Sequence, residues 1–357
     1  MAIEILGLKP GEKVLVPTYH CPTMISPVTA LNALPVFYPI DVNGMAQMEW
    51  LRRQPLAGVR AIFAVHYFGL PQSMRVLREW CNEYGIVLVE DCAHSLFGIC
   101  DGRAIGTWGD MSIGSLTKFF PVPEGGCLLL KAATAPVSPL RKPTAFEQVK
   151  ALLDIVHFAA EHRRLVGLNS LLLGAFFVRK IFKRKQPAAK FQPDNAQAGQ
   201  EEAMDGFTLD VALSHRALTW SSAWIARCMP RARIVEQRCR HFKELARLLS
   251  GVDGLRPLFV QLPHGAAPYV FPLWVDSPDP GYSQLRAAGV PVSRWDRLWP
   301  DIPHITGDLG PTWSHHVLQL ACHQDLTDDE VRTIAATVLS IYRATNSTPA
   351  SRPSAKA

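Results

Sequence analysis

Two side chains in the first third of the chain could act together on an amine. Lys118 lies in the loop sequence Ser-Leu-Thr-Lys-Phe-Phe-Pro-Val-Pro-Glu-Gly-Gly of residues 115–126, and Asp91 comes 27 positions earlier, at the end of an apolar run. A lysine amine can form a Schiff base with pyridoxal phosphate, and a carboxylate can keep the ring nitrogen protonated so that the ring absorbs carbanion charge. Taken singly, each residue is more typical of a surface lysine or an ordinary strand-end aspartate.

The first 130 residues alternate short apolar runs with stretches of helical spacing. That spacing is clear in residues 73–84, where Met74, Leu77 and Trp80 fall on one face, and a second helix is predicted over residues 23–34. Since buried strands that alternate with helices form parallel sheets, we expect an α/β fold with a mostly parallel central sheet. The runs that predict its strands are residues 14–16, 35–38, 61–65, 86–89 and 127–130.

Polar residues follow three of these predicted strands. They are Thr18-Tyr19-His20, His66-Tyr67 and the run from Glu90 to Ser95. Ligands of such sheets bind beyond the carboxyl ends of the strands. The sequence therefore places several chemically useful side chains at one edge of the sheet.

Composition indicates a globular, reduced protein. At 357 residues, 48% hydrophobic and 19% charged, the chain can bury a core and form two domains. Its eight cysteines include no Cys-x-x-Cys pair, and no signal sequence opens the chain, so we expect a cytoplasmic protein. The net charge of +6 comes from one basic segment, residues 163–190.

The segment from residue 144 to residue 206 departs from the alternating pattern and predicts a helical insertion. Residues 165–182 are apolar and run into basic residues at 179–185, which favours a helix in a protein interface or, alternatively, peripheral membrane contact through residues 165–190. Residues 186–206 predict a polar loop. We expect a large cofactor-binding domain over residues 1–235, including this insertion.

The remaining residues predict a small C-terminal α+β domain over residues 236–345, followed by a disordered tail over 346–357. A long helix is expected over 209–249, with further helices near 283–288 and 327–342. Strands are expected at residues 258–260 and 269–275.

An ordered series of motifs resembles the DegT family of sugar aminotransferases. The series, which covers most of the chain, is Gly11-Glu12-Lys13-Val14-Leu15-Val16-Pro17, Val65-His66-Tyr67-Phe68-Gly69, Val89-Glu90-Asp91-Cys92-Ala93-His94, Gly109-Asp110, Lys118, Glu124-Gly125-Gly126, Arg238-Cys239-Arg240-His241-Phe242 and Leu320-Ala321-Cys322-His323-Gln324. The resemblance implies a pyridoxal phosphate-dependent transferase of the aspartate aminotransferase-like fold type I. It further implies a homodimer that transfers an amino group from an amino acid to a nucleotide-linked keto-sugar, in polysaccharide or glycoconjugate synthesis.

The resemblance also implies roles for individual residues. Lys118 would form the Schiff base and shuttle the proton, and Asp91 would pair with the ring nitrogen. His94 would contact the ring oxygen, and Ser115 is a candidate phosphate ligand. The histidine could equally be satisfied within its loop.

Two departures from the family pattern concern how the cofactor is held. Cys21 stands where the family has an aromatic residue stacked on the cofactor, so Tyr19 or His20 is expected to take that face. Little chain precedes the first strand, whereas the family holds the cofactor phosphate with the N-terminus of an upstream helix. We therefore expect weakened cofactor binding, or phosphate held in another way.

Other chemistries lack their motifs. The sequence has no Gly-x-Gly-x-x-Gly, no Gly-x-x-x-x-Gly-Lys-Ser/Thr and no Gly-x-Ser-x-Gly. We expect no metal site and no nucleic-acid partner, since the histidines lack matching ligands and the basic run lacks interleaved aromatics. Two alternatives stay open: a catalytically silent paralogue that acts as a membrane-associated assembly protein, and another pyridoxal phosphate reaction such as sugar dehydration.

Overall fold

The computed structural model of the protein describes residues 1–131, 139–162, 164–165, 167–170, 172, 174 and 214–347. The chain divides into two compact units, each assembled from several segments. The unit that we call the lysine unit comprises residues 1–5, 115–127 and 133–229, and the sheet unit comprises residues 6–114, 128–132 and 230–357. The division into domains 1–235 and 236–345, which follows chain order, stays a prediction.

The main sheet of the sheet unit has six strands in the order β2-β1-β3-β4-β7-β8. Strands β1 to β4 and β7 pair in parallel, and most apolar side chains of β1, β3 and β4 are almost completely buried, as expected of strands covered on both faces. The bounds are β1 (Lys13–Pro17), β2 (Leu34–Tyr38), β3 (Val59–Val65), β4 (Val87–Cys92), the hairpin strands β5 (Ile99–Cys100) and β6 (Arg103–Ala104), β7 (Met111–Ser115) and β8 (Gly126–Leu130).

Four short helices, one before β1 and three between strands, belong to this part of the chain. They are α1 (Ala2–Leu6), α2 (Ser26–Thr29), α3 (Met48–Arg52) and α4 (Arg75–Tyr84). Helix α4 buries Leu77, Trp80 and Cys81 and ends at Gly85, which has the left-handed backbone typical of a helix C-terminus. The helix expected over residues 23–34 is reduced to a 3-10 turn and α2, and Asn32, with φ of +56°, already turns the chain towards β2.

Helices α5 (Ala145–Glu161) and α6 (Trp220–Cys228) lie in the described part of the lysine unit. Thr144 begins α5 with a capping box, in which its hydroxyl accepts the Glu147 N–H and the Glu147 side chain accepts the Thr144 N–H. The Trp220 N–H donates to Oε1 of Gln148 at 3.0 Å, which joins the start of α6 to α5. The described part of the predicted insertion is thus helical.

A second sheet in the sheet unit is antiparallel. Its strands β9 (Leu255–Pro257), β10 (Val270–Val275), β11 (Val292–Arg294) and β12 (Val317–Ala321) follow the order β11-β12-β10-β9. The helices of this part are α7 (Arg231–Leu249), α8 (Gly281–Ala287), α9 (Gly310–His316) and α10 (Asp328–Ser347).

Some details of this part differ from the sequence prediction. The helix expected over residues 209–249 is broken at Met229-Pro230, because proline lacks the N–H needed in a helix interior. The strand expected at residues 258–260 lies three residues earlier, as β9. Strands β11 and β12 were not predicted.

Much of the predicted membrane-contact segment lies outside the described residues. The same holds for the predicted polar loop, residues 186–206, and for the predicted tail beyond residue 347, whereas residues 346 and 347 continue α10. Among the described residues, no helix combines the length and the apolar character needed to cross a bilayer.

Gly69 and Gly58 provide a matched test of packing beside β3. Both have left-handed backbones, with φ of +84° and +79°, so a change to alanine costs about 1–2 kcal/mol at either position. A Cβ on Gly69 would also lie 2.3 Å from the Tyr269 N and 2.4 Å from the Ala267 O, whereas a Cβ on Gly58 meets nothing within 4 Å. We expect Gly69→Ala to lower the free energy of unfolding, measured in urea, by at least about 2 kcal/mol more than Gly58→Ala. Equal losses would contradict this close approach.

Candidate active site

The carboxyl ends of β1, β3 and β4 carry most of the predicted site residues of the sheet unit. Tyr19 and His20 follow β1, His66 follows β3, and Asp91 and His94 lie at and after the end of β4. Because β3 lies between β1 and β4, these ends form one edge of the sheet. The structure thus brings together the residues that the sequence placed at the strand ends.

Asp91 stands beside Glu90 on β4, but the two carboxylates face opposite ways. Successive residues of a strand point to opposite faces, and here Glu90 is completely buried while Asp91 is only partly buried. Oδ1 of Asp91 accepts the Ala93 N–H at 2.9 Å, which fixes the carboxylate at the strand end. Asp91 is therefore the carboxylate of this pair that a ligand can reach.

His94 belongs to an aromatic cluster at the same edge. Its ring is only 4% exposed and lies 4.7 Å from the ring of Tyr269 and 4.8 Å from that of Trp295. The sequence analysis did not name Tyr269 or Trp295 as site residues. Both come from the C-terminal third of the chain, and no local motif marks them.

Tyr19 is fully buried in the same aromatic cluster. Its ring lies 5.1 Å from Trp295 and 5.2 Å from Tyr67, and its hydroxyl accepts a hydrogen bond from the Gln319 amide at 3.4 Å. Burial raises the pKa of this hydroxyl. The position gives Tyr19 a packing role in this cluster, and its contact with a cofactor face stays a prediction.

His20 is a fully buried histidine with both ring nitrogens engaged. Nε2 accepts the Trp299 N–H at 3.0 Å, so the proton lies on Nδ1, which donates to the carbonyls of Pro17 and Thr18 at 3.0 and 3.1 Å. Burial lowers the pKa of His20 to about 4, despite these two carbonyl acceptors. His20 therefore anchors the turn after β1 as a neutral ring, and its position does not favour the predicted cofactor contact.

A buried pair of His66 and Glu90 supports the edge from within. Nδ1 of His66 accepts the Gln72 N–H at 3.1 Å, so the Nε2 proton is donated to Oε2 of Glu90 at 3.0 Å. The Glu90 carboxylate also accepts three backbone N–H groups, from Gly106 at 3.0 Å, Trp108 at 2.6 Å and Gly109 at 2.5 Å. Burial raises the pKa of Glu90, but the bonds from His66 and the backbone outweigh burial and lower the pKa below its usual value.

Cys92 completes a group whose geometry could suggest a metal site. The donor atoms of His66, Glu90 and Cys92 lie within 4.8 Å of one another, and all three residues are buried. Both nitrogens of His66 and both oxygens of Glu90 already have hydrogen-bond partners, and the backbone N–H groups aimed at Glu90 compensate its charge. The group is thus better suited to hold the strand ends in place than to bind a cation.

Lys118 lies in the lysine unit, at the end of the 3-10 turn Leu116–Lys118 that follows β7. The turn is anchored on both sides of the lysine, since Leu116, Phe119 and Phe120 are buried and the Phe120 N–H donates to the Leu116 carbonyl at 2.9 Å. The Lys118 side chain is itself half-buried. The sequence therefore presents an amine on a rigid turn.

Ser115 precedes the lysine in the same turn and shares a hydrogen bond with Thr117. The two hydroxyl oxygens are 3.1 Å apart. Thr117, which the sequence analysis did not single out, is exposed and supplies a second hydroxyl to the turn. Two hydroxyls can donate two hydrogen bonds to a phosphate group, whereas a single hydroxyl can donate one.

The chemistry of these groups fits pyridoxal phosphate. Lys118 offers the amine, Asp91 a carboxylate, His94 a flat ring held by aromatic neighbours, and Ser115 with Thr117 two hydroxyls. These are the group types that the aldehyde, ring nitrogen, ring face and phosphate of that cofactor require. The assignment of single residues to these roles stays a prediction.

Comparison with known proteins points in the same direction. Residues 1–134 match the sequence profile of the DegT/DnrJ/EryC1/StrS aminotransferase family. GDP-perosamine synthase of Vibrio cholerae is 32% identical over 132 residues, which are 36% of this chain and 36% of that enzyme. The dTDP-4-dehydro-2,3,6-trideoxy-D-glucose 4-aminotransferase of Saccharopolyspora spinosa is 26% identical over 129 residues, 35% of this chain and 34% of that enzyme. The matched region thus spans about a third of the length of these curated relatives.

Similarity at the level of the fold extends further. The aminotransferase TlmJ from Streptoalloteichus hindustanus superimposes with a TM-score of 0.63 over 97% of this chain and 83% of that chain, at 22% sequence identity. At this identity the likeness concerns the fold alone. It confirms the predicted α/β fold with a mostly parallel sheet, as found in aminotransferases of this type.

Proposed function

We propose that this protein is a pyridoxal phosphate-dependent aminotransferase, because residues 1–134 match the sequence profile of the DegT/DnrJ/EryC1/StrS aminotransferase family. The observation that carries the proposal is the half-buried Lys118 on an anchored turn inside the matched region. In this proposal the protein transfers an amino group from an amino acid to a keto-sugar carried by a nucleotide, for polysaccharide or glycoconjugate synthesis. It acts as a cytoplasmic homodimer.

Each proposed role uses the chemistry of one side chain. Lys118 would hold the cofactor through its amine and, once released as a free amine, would carry the proton that leaves or joins the substrate carbon bearing the amino group. Asp91 keeps a proton on the ring nitrogen by its negative charge. His94 contacts the ring oxygen, and Ser115 with Thr117 donates to the phosphate. The cofactor itself supplies the electron sink that these residues lack.

The substrate class rests on the relatives' names. The two curated relatives above are a GDP-perosamine synthase and a dTDP-sugar 4-aminotransferase, both named for nucleotide-linked sugars. A keto group on such a sugar is chemically the acceptor that transamination needs. We therefore propose a nucleotide-linked keto-sugar as acceptor and glutamate or glutamine as donor.

Cofactor titration followed by product analysis tests this function. Purified protein mixed with pyridoxal phosphate is expected to develop a visible absorbance band. With glutamate and either a dTDP- or a GDP-linked 4-keto-sugar, mass spectrometry is expected to show replacement of the ketone oxygen by an amine. A band with a different sugar product would instead favour another reaction, such as dehydration. Absence of both the band and any product would refute the proposed function.

A further inference from the structure

The turn that carries Lys118 is tied by a carboxylate to the segment just before α6. Glu124, in the Glu-Gly-Gly sequence before β8, forms an ion pair with Arg216, 92 residues further along the chain. Its other oxygen accepts the Thr219 N–H at 2.8 Å. The side chains of Glu124 and Arg216 are only 15% and 18% exposed. At this burial an ion pair holds its geometry better than a surface pair does.

Arg216 is shared with the start of α5. Its second nitrogen, Nη1, lies 3.2 Å from Oε1 of Glu147, and Arg141 binds the two oxygens of the same carboxylate at 2.8 and 2.9 Å. Glu147 is also the capping residue of α5. Charges of alternating sign therefore connect the turn before β8 with the segment before α6 and with the start of α5. Loss of Arg216 would leave the partly buried Glu124 without this counter-charge.

The path from Glu124 to Lys118 runs through Gly125 and Leu116. The Leu116 N–H donates to the Gly125 carbonyl at 2.9 Å, and a Cβ on Gly125, where φ is +132°, would lie 2.9 Å from Cδ1 of Leu116. Glycine is required here because the two backbones approach so closely. Leu116 is buried and begins the 3-10 turn that ends at Lys118. Displacement of Glu124 would therefore move the lysine turn.

We propose that Arg216 is a positioning residue for Lys118: by holding Glu124, Arg216 fixes the turn from which the amine reacts. The inference rests on the proposed role of Lys118. It predicts that Arg216 sets how readily the amine captures an aldehyde. A displacement of about 1 Å at such a group typically costs on the order of 100-fold in rate.

Substitutions at Arg216 in the full-length protein test the proposal with two readouts. The first is the rate of trypsin cleavage after Lys118 in the cofactor-free protein, measured by mass spectrometry. The second is the rate at which pyridoxal phosphate becomes fixed to Lys118 on borohydride reduction. For Arg216→Met we expect cleavage at least about tenfold faster and fixation about tenfold to 100-fold slower. Arg216→Lys, which keeps one charge but cannot bridge both carboxylates, should lie in between.

Two controls separate positioning from folding and from simple charge balance. Arg227→Met removes an exposed arginine at the end of α6 and is expected to change neither readout. The double variant Glu124→Gln with Arg216→Met removes the unpaired carboxylate, so the urea unfolding midpoint should recover while fixation stays slow.

If Arg216→Met does not fold, the two readouts of Arg216→Lys decide whether Arg216 positions the lysine turn. Wild-type rates in folded Arg216→Met and Arg216→Lys would overturn the proposal. A wild-type protein that fixes no cofactor would refute the proposed function, and the trypsin readout would still decide positioning.

Discussion

Replacing Lys118 with alanine is expected to abolish the visible absorbance band of the cofactor-treated protein and to lower transamination by at least about 10⁴-fold. The amine is the group of this turn that can form an imine with an aldehyde, and it is also the proposed proton carrier. Lys118→Arg should fail equally, because a guanidinium stays protonated and cannot replace the amine. Visible absorbance of the cofactor-treated protein and product formation are the two measurements.

The control for this prediction is Lys131→Ala, which removes an exposed lysine just after β8. It should retain the band and the activity. Leu116 and Phe119 are buried and anchor the turn, so Lys118→Ala should still fold, which its urea unfolding curve checks. A band that persists in Lys118→Ala would show that another amine holds the cofactor. Borohydride reduction and peptide mapping would then locate it.

The parallel sheet could be predicted because its strands are continuous apolar runs. Strands β1, β3 and β4 carry Leu15, Ile62 and Leu88, which are almost completely buried, and such runs are recognisable without any partner. Strand β7, Met-Ser-Ile-Gly-Ser, has only two large apolar residues and was missed. It forms a strand through its pairing with β4. That pairing depends on the tertiary structure, so the local sequence of β7 does not reveal it. The same holds for β11, which is only three residues long.

The candidate site was predictable to a similar extent. Asp91 and His94 stand in sequence motifs at a strand end, and Lys118 stands in a loop motif. These three residues could therefore be named as candidate site residues from the sequence. Trp295 and Tyr269, which pack against His94, could not be found, since they come from distant parts of the chain. The Glu124–Arg216 pair was missed for the same reason. Glu90 looked like a site residue beside Asp91, and only its burial shows that it serves the fold.

Glu90→Gln is expected to be the most destabilising single-atom change at the sheet edge. Oε1 of Glu90 accepts two backbone N–H groups, and Oε2 accepts the Gly106 N–H and the His66 Nε2 proton. In glutamine, an NH₂ group replaces one of these oxygens. Its N–H bonds would point at groups that are themselves hydrogen-bond donors, so no hydrogen bond could form there. His66 cannot adapt by moving its proton, because Nδ1 already accepts the Gln72 N–H. We expect the free energy of unfolding to fall by about 3–5 kcal/mol, the range for a broken buried pair.

Urea unfolding of matched variants measures this loss. Glu79→Gln, an exposed change on α4, should alter stability by less than about 0.5 kcal/mol. The double variant His66→Leu with Glu90→Leu removes both members of the pair, yet the N–H groups of Gly106, Trp108 and Gly109 would then lack their acceptor. We therefore expect no recovery in the double variant. Full recovery would show that Glu90 serves only to balance His66.

The pH dependence of the same measurement gives an independent check on Glu90. Because the pKa of Glu90 is lower in the folded protein than its usual value of 4.5, the unfolded chain binds the proton more readily. The stability that Glu90 contributes is thus fully present above about pH 4.5 and is lost as the pH falls through the folded pKa. Wild-type protein should lose more stability between pH 7 and acidic pH than Glu90→Gln, which has no carboxyl to protonate at this position. Equal losses in the two proteins would mean that the carboxylate is not the charge that the Gly106–Gly109 backbone stabilises.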